Sequence, residues 1–176
     1  MSDFINKLQY TADLDKINHD LDQILNNYCS WNVTKQIGLR HRDNCENHWL
    51  DASGGLDSAE HEQLFCNWNP DCPEYTKSVL QELAEQENIS WGRIRFMCAD
   101  SKQGLSMHYD YQPRYHLVLK TNPSAVFGEC FNNEVIRAKC YHIPANGHWY
   151  KVDTTREHFV FNAGLTPRIH LVCCPV

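Results

Sequence analysis

The sequence predicts a mostly β protein of jelly-roll type with flanking α-helices. Short segments rich in β-forming residues follow one another from residue 91 onwards, and turn residues separate them. Two amphipathic helical patterns precede these segments. The chain of 176 residues has the size of one domain. Roughly six to eight short strands at this spacing are typical of a β-sandwich or a barrel-like jelly roll, with the helices packed on one sheet.

Residues 1–90 are predicted to form a helical and loop elaboration of the core. Apolar residues recur at helical spacing in residues 12–28, and Thr11 is a candidate N-cap for this helix. The same periodicity predicts a second helix over residues 75–88. Residues 40–73 lack periodicity and carry Gly, Asn, Asp and Pro, and long loops of this kind are often functional.

Residues 91–176 are predicted to form the β core that carries the functional site. Each proposed strand is rich in β-forming residues and ends at turn residues. We therefore expect residues 1–176 to form a single domain. The proposed strands cover residues 91–98, 114–120, 134–142, 149–152, 158–162 and 168–174.

The composition excludes several classes of protein. A formal charge of −6 argues against sequence-independent binding of nucleic acid. No apolar run approaches the roughly 18 residues of a membrane span, and the first residues lack the pattern of a secretory signal. The odd number of cysteines, nine, in a chain without an export signal argues against a disulfide framework, and the absence of a Cys-x-x-Cys pair argues against a zinc knuckle. We therefore expect reduced thiols in a cytoplasmic protein.

A His-x-Asp pattern is the first chemical signal in the sequence. Residues i and i+2 of a strand point to the same side, so a histidine and an aspartate at this spacing can share a metal ion. About 0.7 copies are expected by chance in a chain of this composition, so the pattern alone is weak. The chain has two copies, His41-Arg-Asp43 in the irregular region and His108-Tyr-Asp110 in the strand-rich half. The first has no obvious distal partner and is predicted to be polar surface.

The second copy has partners further along the chain. His158 begins another β-like segment and completes a set of two histidines and one carboxylate, which is typical of non-haem Fe(II) sites. Arg168 follows ten residues later, after a turn. An antiparallel hairpin through that turn would bring Arg168 level with His158. Its guanidinium could then pair with one end of a dicarboxylic acid whose other end is on the metal.

Residues 91–172 contain eight short motifs, one after another along the chain. They are Gly92-Arg-Ile-Arg-Phe-Met97, His108-Tyr-Asp110, Arg114-Tyr-His116-Leu-Val-Leu, Thr121-Asn-Pro123, Tyr141-His-Ile-Pro-Ala-Asn-Gly147, Val152-Asp-Thr-Thr155, His158-Phe-Val-Phe-Asn162 and Arg168-Ile-His-Leu-Val172. With these motifs in this order, the chain resembles the aspartyl/asparaginyl/prolyl hydroxylase group of 2-oxoglutarate- and Fe(II)-dependent oxygenases. The likeness covers roughly the C-terminal half of the chain.

The resemblance implies a double-stranded β-helix, the cupin-like form of the jelly roll, with a metal site in its core. It implies that Arg168 holds the distal carboxylate of 2-oxoglutarate, and that Arg114 and His116 help to hold this co-substrate. The implied iron ligands are His108, Asp110 and His158.

The activity implied by the resemblance is hydroxylation of an amino-acid side chain of Asp, Asn or Pro type, free or in a peptide or protein. The reaction uses Fe(II), 2-oxoglutarate and O₂, and it releases succinate and CO₂. The best-known aspartyl/asparaginyl hydroxylases lack a carboxylate ligand, whereas Asp110 is present here. This departure places the chain nearer to the bacterial and phage-type members or to the free-amino-acid hydroxylases.

Two other functions remain open at this point. A cupin-type metalloenzyme that does not use 2-oxoglutarate would need no equivalent of Arg168. A non-catalytic β-sandwich binding module would leave inward-pointing polar groups without a purpose, although burying them is costly. Arg93, Arg95 and His170 either line the site or are structural. We expect residues 30–75 to determine specificity. The sequence predicts neither the substrate nor the oligomeric state.

Overall fold

A computed structural model describes residues 4–132 and 134–176. Within these residues, two α-helices and one 3-10 helix accompany twelve β-strands. In chain order the elements are β1 (Ile5–Thr11), α1 (Leu14–Asn27), β2 (Gln36–Gly38), β3 (Arg40–His41), the 3-10 helix (Ala59–Leu64), β4 (Asn67–Trp68), α2 (Glu74–Glu87), β5 (Trp91–Ala99), β6 (Gln103–His108), β7 (Arg114–Lys120), β8 (Ala125–Phe131), β9 (Glu134–Tyr141), β10 (His148–Val152), β11 (His158–Asn162) and β12 (Arg168–Pro175).

Two antiparallel sheets pack face to face. The larger sheet has the strand order β1-β10-β7-β12-β5-β2, and the smaller has the order β6-β11-β8-β9. A cluster of buried side chains joins them, with Val118 and Tyr150 from the larger sheet and Phe127 and Val160 from the smaller. This is the predicted double-stranded β-helix, so the predicted fold class is confirmed.

Side chains of the central strands β5, β7 and β12 alternate between the two faces of the larger sheet, as the pleat requires. On the outer face, apolar residues such as Leu117, Leu171 and Phe96 pack against Ile17 and Leu21 of α1. The predicted packing of helices on one sheet is therefore correct. The inner face is unusual because it buries Arg93, Arg95, Arg114, His116, Arg168 and His170. Burial of so many polar groups is costly unless they are paired or bind a ligand, so the inner face is where a site is expected.

The N-terminal 90 residues contribute more to the sheet than the sequence predicted. They supply both edge strands of the larger sheet, since β1 pairs with β10 and β2 pairs with β5. The prediction of only helices and loops in this region is wrong. β1 alternates between half-buried and exposed residues at a sheet edge, and β2 has three residues, so neither produces a clear hydrophobic pattern.

Both predicted helices exist, with small differences at their ends. The N-cap of α1 is Asp13, whose carboxylate accepts from the backbone N–H groups of Asp15 and Lys16. The prediction of Thr11 as the cap is wrong because Thr11 ends β1. α2 ends at Glu87 and is capped by Asn88, which adopts the left-handed conformation that favours Asn and Gly at this position. No described helix is both long enough and apolar enough to cross a membrane.

Candidate metal centre

The centre of the inner face brings together two histidines and one aspartate. His108 ends β6 and His158 begins β11, and the antiparallel pairing of these strands places the two residues opposite each other. Their ring centroids are 4.4 Å apart. Nε2 of His158 is 4.0 Å from Oδ2 of Asp110. One ligand atom from each of the three residues lies within 4.8 Å of the others. The structure thus brings the three predicted metal ligands to one point.

Both imidazole rings are oriented by the backbone. Nδ1 of His108 donates to the carbonyl of Ser106 at 2.7 Å, and Nδ1 of His158 donates to the carbonyl of Arg156 at 2.9 Å. A carbonyl oxygen only accepts, so each neutral ring carries its proton on Nδ1. The lone pair of each ring is then on Nε2. This arrangement is typical of histidines that bind a metal ion.

Asp110 reaches the centre in a way that the sequence did not predict. It lies two residues beyond β6 rather than on the strand, so strand alternation does not place its carboxylate. Its backbone N–H instead donates to the carbonyl of Thr154 at 2.8 Å, which ties the turn after β6 to the segment before β11. Its Oδ1 accepts from Arg114 at 3.2 Å.

A buried ion-pair chain supports Asp110 from behind. Oε1 of Glu62 accepts from Arg93 at 2.8 Å and from Arg114 at 2.9 Å. Glu62 is 1% exposed, and it belongs to the 3-10 helix in the irregular region. Sequence reasoning missed this residue, since no local pattern marks one glutamate of that region as the counter-charge for two arginines. Arg93 therefore supports the site indirectly, because it holds Glu62, which in turn holds Arg114.

The charge states of the three ligands suit a divalent transition metal. Burial on its own would raise the pKa of Asp110, but the charge and hydrogen bond of Arg114 outweigh it and hold this pKa below its usual value. Burial lowers the pKa of His158. At neutral pH the centre therefore presents one carboxylate and at least one neutral imidazole at His158, which are donors that Fe(II) accepts.

Arg168 lies on the opposite wall of the same cavity. The predicted hairpin with His158 is wrong, because β11 belongs to the smaller sheet and β12 to the larger. The connection between them crosses from one sheet to the other, and both residues still face the cavity from opposite sides. The guanidinium lies over the ring of Phe127, with 4.9 Å to its centroid.

The charge of Arg168 has no carboxylate partner among the described residues. Its NH2 donates to Nδ1 of His170 at 3.0 Å. Burial lowers the pKa of Arg168 to about 9. A buried guanidinium that lacks a counter-charge is a ready site for an anionic ligand.

His116 lines this side of the cavity, and the ring of His170 lies beside it, with 5.5 Å between the two centroids. Burial, followed by the charge of Arg168, lowers the pKa of both rings well below the usual range, so both are neutral. Nε2 of each ring is buried and has no partner within residues 4–132 and 134–176. The unpaired Nε2 of His116 lies in a cavity that the metal-binding set and Arg168 also line, and it fits a polar co-substrate that spans the two.

The small inner cavity, of about 70 Å³, adjoins a wider outer cleft of about 570 Å³. Arg95, Met97, Leu105, His108, Asp110 and Arg114 line both. Tyr109 and Tyr111 line the outer cleft and are partly exposed to solvent. Within the part of the chain that the structure describes, Arg95 has no carboxylate partner. Its NH1 donates to Gln36 and to the carbonyls of Ala52 and Gly54.

Comparison with models of known protein families finds a match. The model of the aspartyl/asparaginyl beta-hydroxylase family matches residues 11–174. No curated protein sequence matches the chain.

Several solved structures share the fold. An oxidoreductase of the 2OG-Fe(II) oxygenase family from Burkholderia pseudomallei superposes with a TM-score of 0.61 at 12% identity, over 98% of this chain and 84% of that one. A Pseudomonas putida prolyl-4-hydroxylase gives a TM-score of 0.55 at 9% identity, over 98% and 91%. The viral collagen prolyl hydroxylase of Paramecium bursaria Chlorella virus-1, solved with 2-oxoglutarate, gives 0.52 at 10% identity, over 98% and 94%. At these identities the likeness shows the fold.

Proposed function

The chain belongs to the aspartyl/asparaginyl beta-hydroxylase family and is a hydroxylase, and from this premise we propose that it uses Fe(II), 2-oxoglutarate and O₂ to hydroxylate an amino-acid side chain. The observation that carries the proposal is the inner cavity itself. One wall holds a converging His–Asp–His set, and the opposite wall holds a buried guanidinium without a counter-charge. An ion and a dicarboxylic co-substrate would satisfy both walls at once.

Each residue of the cavity has a specific part in this proposal. His108, Asp110 and His158 hold the ion, and the backbone carbonyls behind the two rings keep the Nε2 atoms aimed at it. Arg114 fixes the carboxylate of Asp110 through one hydrogen bond and is itself held by Glu62. When bound, Fe(II) and 2-oxoglutarate supply the oxidation of a C–H bond by O₂, with succinate and CO₂ as co-products.

The co-substrate would lie between the ion and Arg168, where it would meet the unpaired Nε2 of His116. Its distal carboxylate would pair with Arg168. The contact of His116 with 2-oxoglutarate stays a prediction. The same holds for a contact of Arg114, whose guanidinium lines the cavity but bonds to Asp110 and Glu62.

Replacement of Arg168 by methionine is expected to raise the KM for 2-oxoglutarate by about 10- to 100-fold, since a hydrogen-bonded charge pair contributes about 1.5–3 kcal/mol. Steady-state succinate formation at varied 2-oxoglutarate gives this value, and Fe(II) affinity should stay unchanged. Arg137→Met, at an exposed arginine of β9, is the control and should leave the KM unaltered. An unchanged KM in Arg168→Met would contradict the assignment of Arg168 to the distal carboxylate, and a metal-loaded protein that forms no succinate at any 2-oxoglutarate concentration would favour a cupin-type metalloenzyme that does not use 2-oxoglutarate.

The outer cleft is the proposed binding site of the amino-acid or peptide substrate. Arg95 stands where the cleft meets the inner cavity, and its charge has no carboxylate partner within residues 4–132 and 134–176. Burial, with a smaller effect of Arg93, lowers its pKa to about 10, so it stays charged at neutral pH. An acidic group of the substrate, either its side chain or its α-carboxylate, would pair with this guanidinium.

Replacement of Arg95 by methionine is expected to raise the KM for the amino-acid substrate by at least about 10-fold while the KM for 2-oxoglutarate stays within about twofold, since the lost charge-assisted bond lies on the substrate side. Arg95→Lys should restore part of the substrate affinity because it keeps the positive charge. A thermal melt of each variant separates this effect from the loss of the contacts to Ala52 and Gly54. Equal rises of both KM values would contradict the assignment.

The proposed reaction is tested by anaerobic reconstitution with Fe(II) and 2-oxoglutarate, followed by admission of O₂ in the presence of candidate substrates. The candidates are free aspartate, asparagine and proline, and peptides that contain them. Mass spectrometry should find one of them heavier by one oxygen atom, with label from ¹⁸O₂. If succinate forms while every candidate of this panel stays unmodified, the proposed substrate class is wrong although the oxygenase chemistry stands.

A further inference from the structure

A second cluster of metal-binding side chains lies outside the cavity, in the irregular region between α1 and α2. His41, Cys45 and His48 each offer a ligand atom, and these atoms lie within 4.8 Å of one another. None of the three residues is fully buried. His41 belongs to the first His-x-Asp copy, which was predicted to be polar surface. That prediction missed its neighbours, because the spacing His-x₃-Cys-x₂-His contains neither a Cys-x-x-Cys pair nor the aspartate of the motif.

The contacts within the cluster are close. Sγ of Cys45 is 3.4 Å from Nδ1 of His41. The rings of His41 and His48 are stacked, with centroids 4.0 Å apart and an interplanar angle of 8°. A thiolate and an imidazole nitrogen on one tetrahedral zinc ion are separated by about 3.5 Å, given bonds of about 2.3 Å and 2.0–2.1 Å. Nδ1 of His41 is also 2.8 Å from the carbonyl oxygen of Arg42, and ligation through Nδ1 would break this contact.

The backbone brings the three side chains together through two turns. Asn44 has a φ of 58°, the left-handed conformation that asparagine tolerates, and it reverses the chain between His41 and Cys45. Asn47 then begins a second turn, in which its side-chain oxygen accepts from the N–H of Trp49 at 3.0 Å. The loop therefore holds the ligand atoms close together before any ion binds, which lowers the entropic cost of binding.

Two charged neighbours of the cluster, Arg42 and Asp43, are engaged elsewhere. Arg42 forms a bidentate pair with Asp51, with its shortest bond at 2.6 Å. Oδ1 of Asp43 accepts from Asn67 at 2.7 Å. The aspartate of this His-x-Asp copy thus forms a bond that ties the loop to β4, and a thiol takes its place beside the histidines.

We propose that His41, Cys45 and His48 form a second metal site that binds Zn²⁺ and that is separate from the His–Asp–His centre. Two imidazoles and a thiolate are ligands that zinc favours, whereas the oxygen-containing centre suits Fe(II). Three protein ligands leave one position of a tetrahedral ion for water. Binding removes the proton of the Cys45 thiol and releases it to solvent.

The bound ion would stiffen the segment that ends at the outer cleft. The carbonyls of Ala52 and Gly54, a few residues beyond His48, accept from the guanidinium groups of Arg95 and Arg93. A cross-link at residues 41–48 would therefore limit the motion of one wall of the cleft. This role is structural, and the proposal does not depend on the hydroxylase reaction.

Titration of the metal-free full-length chain with Co²⁺, a coloured substitute for Zn²⁺, tests the site. All variants are made in a His108→Ala protein, called the background protein, because this substitution removes one ligand of the His–Asp–His centre and so weakens metal binding there. One equivalent of Co²⁺ should bind and produce a near-ultraviolet thiolate-to-metal absorption band, and excess Zn²⁺ should displace it. Adding Cys45→Ser should abolish the band and weaken binding more than about 100-fold, since loss of even an outer partner of a ligand costs about 10–100-fold.

Matched variants separate the site from general damage. Cys66→Ser alters an exposed thiol of the same irregular region and should keep the band. His48→Ala should lose at least the same affinity, whereas His61→Ala, at an exposed histidine of the 3-10 helix, should not. Zn²⁺ should also raise the Tm of the background protein but not that of the Cys45→Ser or His48→Ala protein. Binding without a thiolate band, binding that survives both ligand substitutions, or no binding at micromolar Co²⁺ would each overturn the proposal.

Discussion

Replacement of Asp110 by alanine is expected to weaken Fe(II) binding by more than about 100-fold and to abolish succinate formation. The carboxylate is the only charged ligand of the His–Asp–His set, and it holds its charge at neutral pH because Arg114 keeps its pKa low. Loss of an outer-sphere partner already costs about 10–100-fold in metal affinity, so loss of a ligand should cost more. Anaerobic titration with Fe(II), in which equilibrium dialysis measures the bound metal, gives the affinity.

The chain offers a control for this substitution with the same sequence motif. Asp43 occupies the corresponding place in His41-Arg-Asp43, but its carboxylate accepts from Asn67 and lies outside the cavity. Asp43→Ala should therefore leave Fe(II) affinity and succinate formation unchanged. If Asp110→Ala binds Fe(II) as tightly as Asp43→Ala does, the assignment of Asp110 as a ligand is wrong.

Replacement of Glu62 by glutamine is expected to destabilise the fold by about 3–5 kcal/mol, the range measured when one partner of a buried ion pair is removed. Glu62 is the shared acceptor for Arg93 and Arg114, and the three side chains are at most 5% exposed. Urea unfolding of the metal-free protein at pH 7 measures the change. Glu134→Gln removes the exposed ion pair with Arg137 and should change stability by less than about 1 kcal/mol.

The Glu62→Gln substitution should also weaken the dependence of the free energy of unfolding on pH in the acid range. Burial would raise the pKa of Glu62, but the two arginines outweigh it and hold the pKa below its usual value. Between the folded and the unfolded pKa, the unfolded chain binds more protons, so stability falls as the pH drops through this range. The lowered pKa of Asp110 has the same effect on stability, so the free energy of unfolding of the Glu62→Gln protein should still fall with pH, but less steeply. An unchanged slope would contradict the role of Glu62 as the counter-charge.

The sequence predicted the features that local patterns encode. Strands β7 and β11 begin and end where β-forming residues and turn residues predicted, and both helices lie within about two residues of their predicted bounds. The metal ligands and Arg168 were identified because their residue types and order form a recognisable set.

The features that sequence reasoning missed depend on distant pairing. Strand β6, which carries His108, has only two large apolar residues, Leu105 and Met107, and is exposed along most of its length. Strands β1 and β2 form only through pairing with β10 and β5, at separations that no local window covers. The same applies to Glu62, which meets Arg114 across 52 positions, and to the grouping of His41 with Cys45 and His48, which needs a left-handed residue at Asn44.

Succinate formation after admission of O₂ tests most directly the claim that His108, Asp110 and His158 hold an Fe(II) ion that acts with 2-oxoglutarate. The measurement uses the full-length protein loaded anaerobically with one Fe(II) and excess 2-oxoglutarate. The account predicts succinate that requires Fe(II), 2-oxoglutarate and O₂, and that is lost in Asp110→Ala but kept in Asp43→Ala. No succinate from the iron-loaded protein, or equal amounts from the two variants, would contradict it.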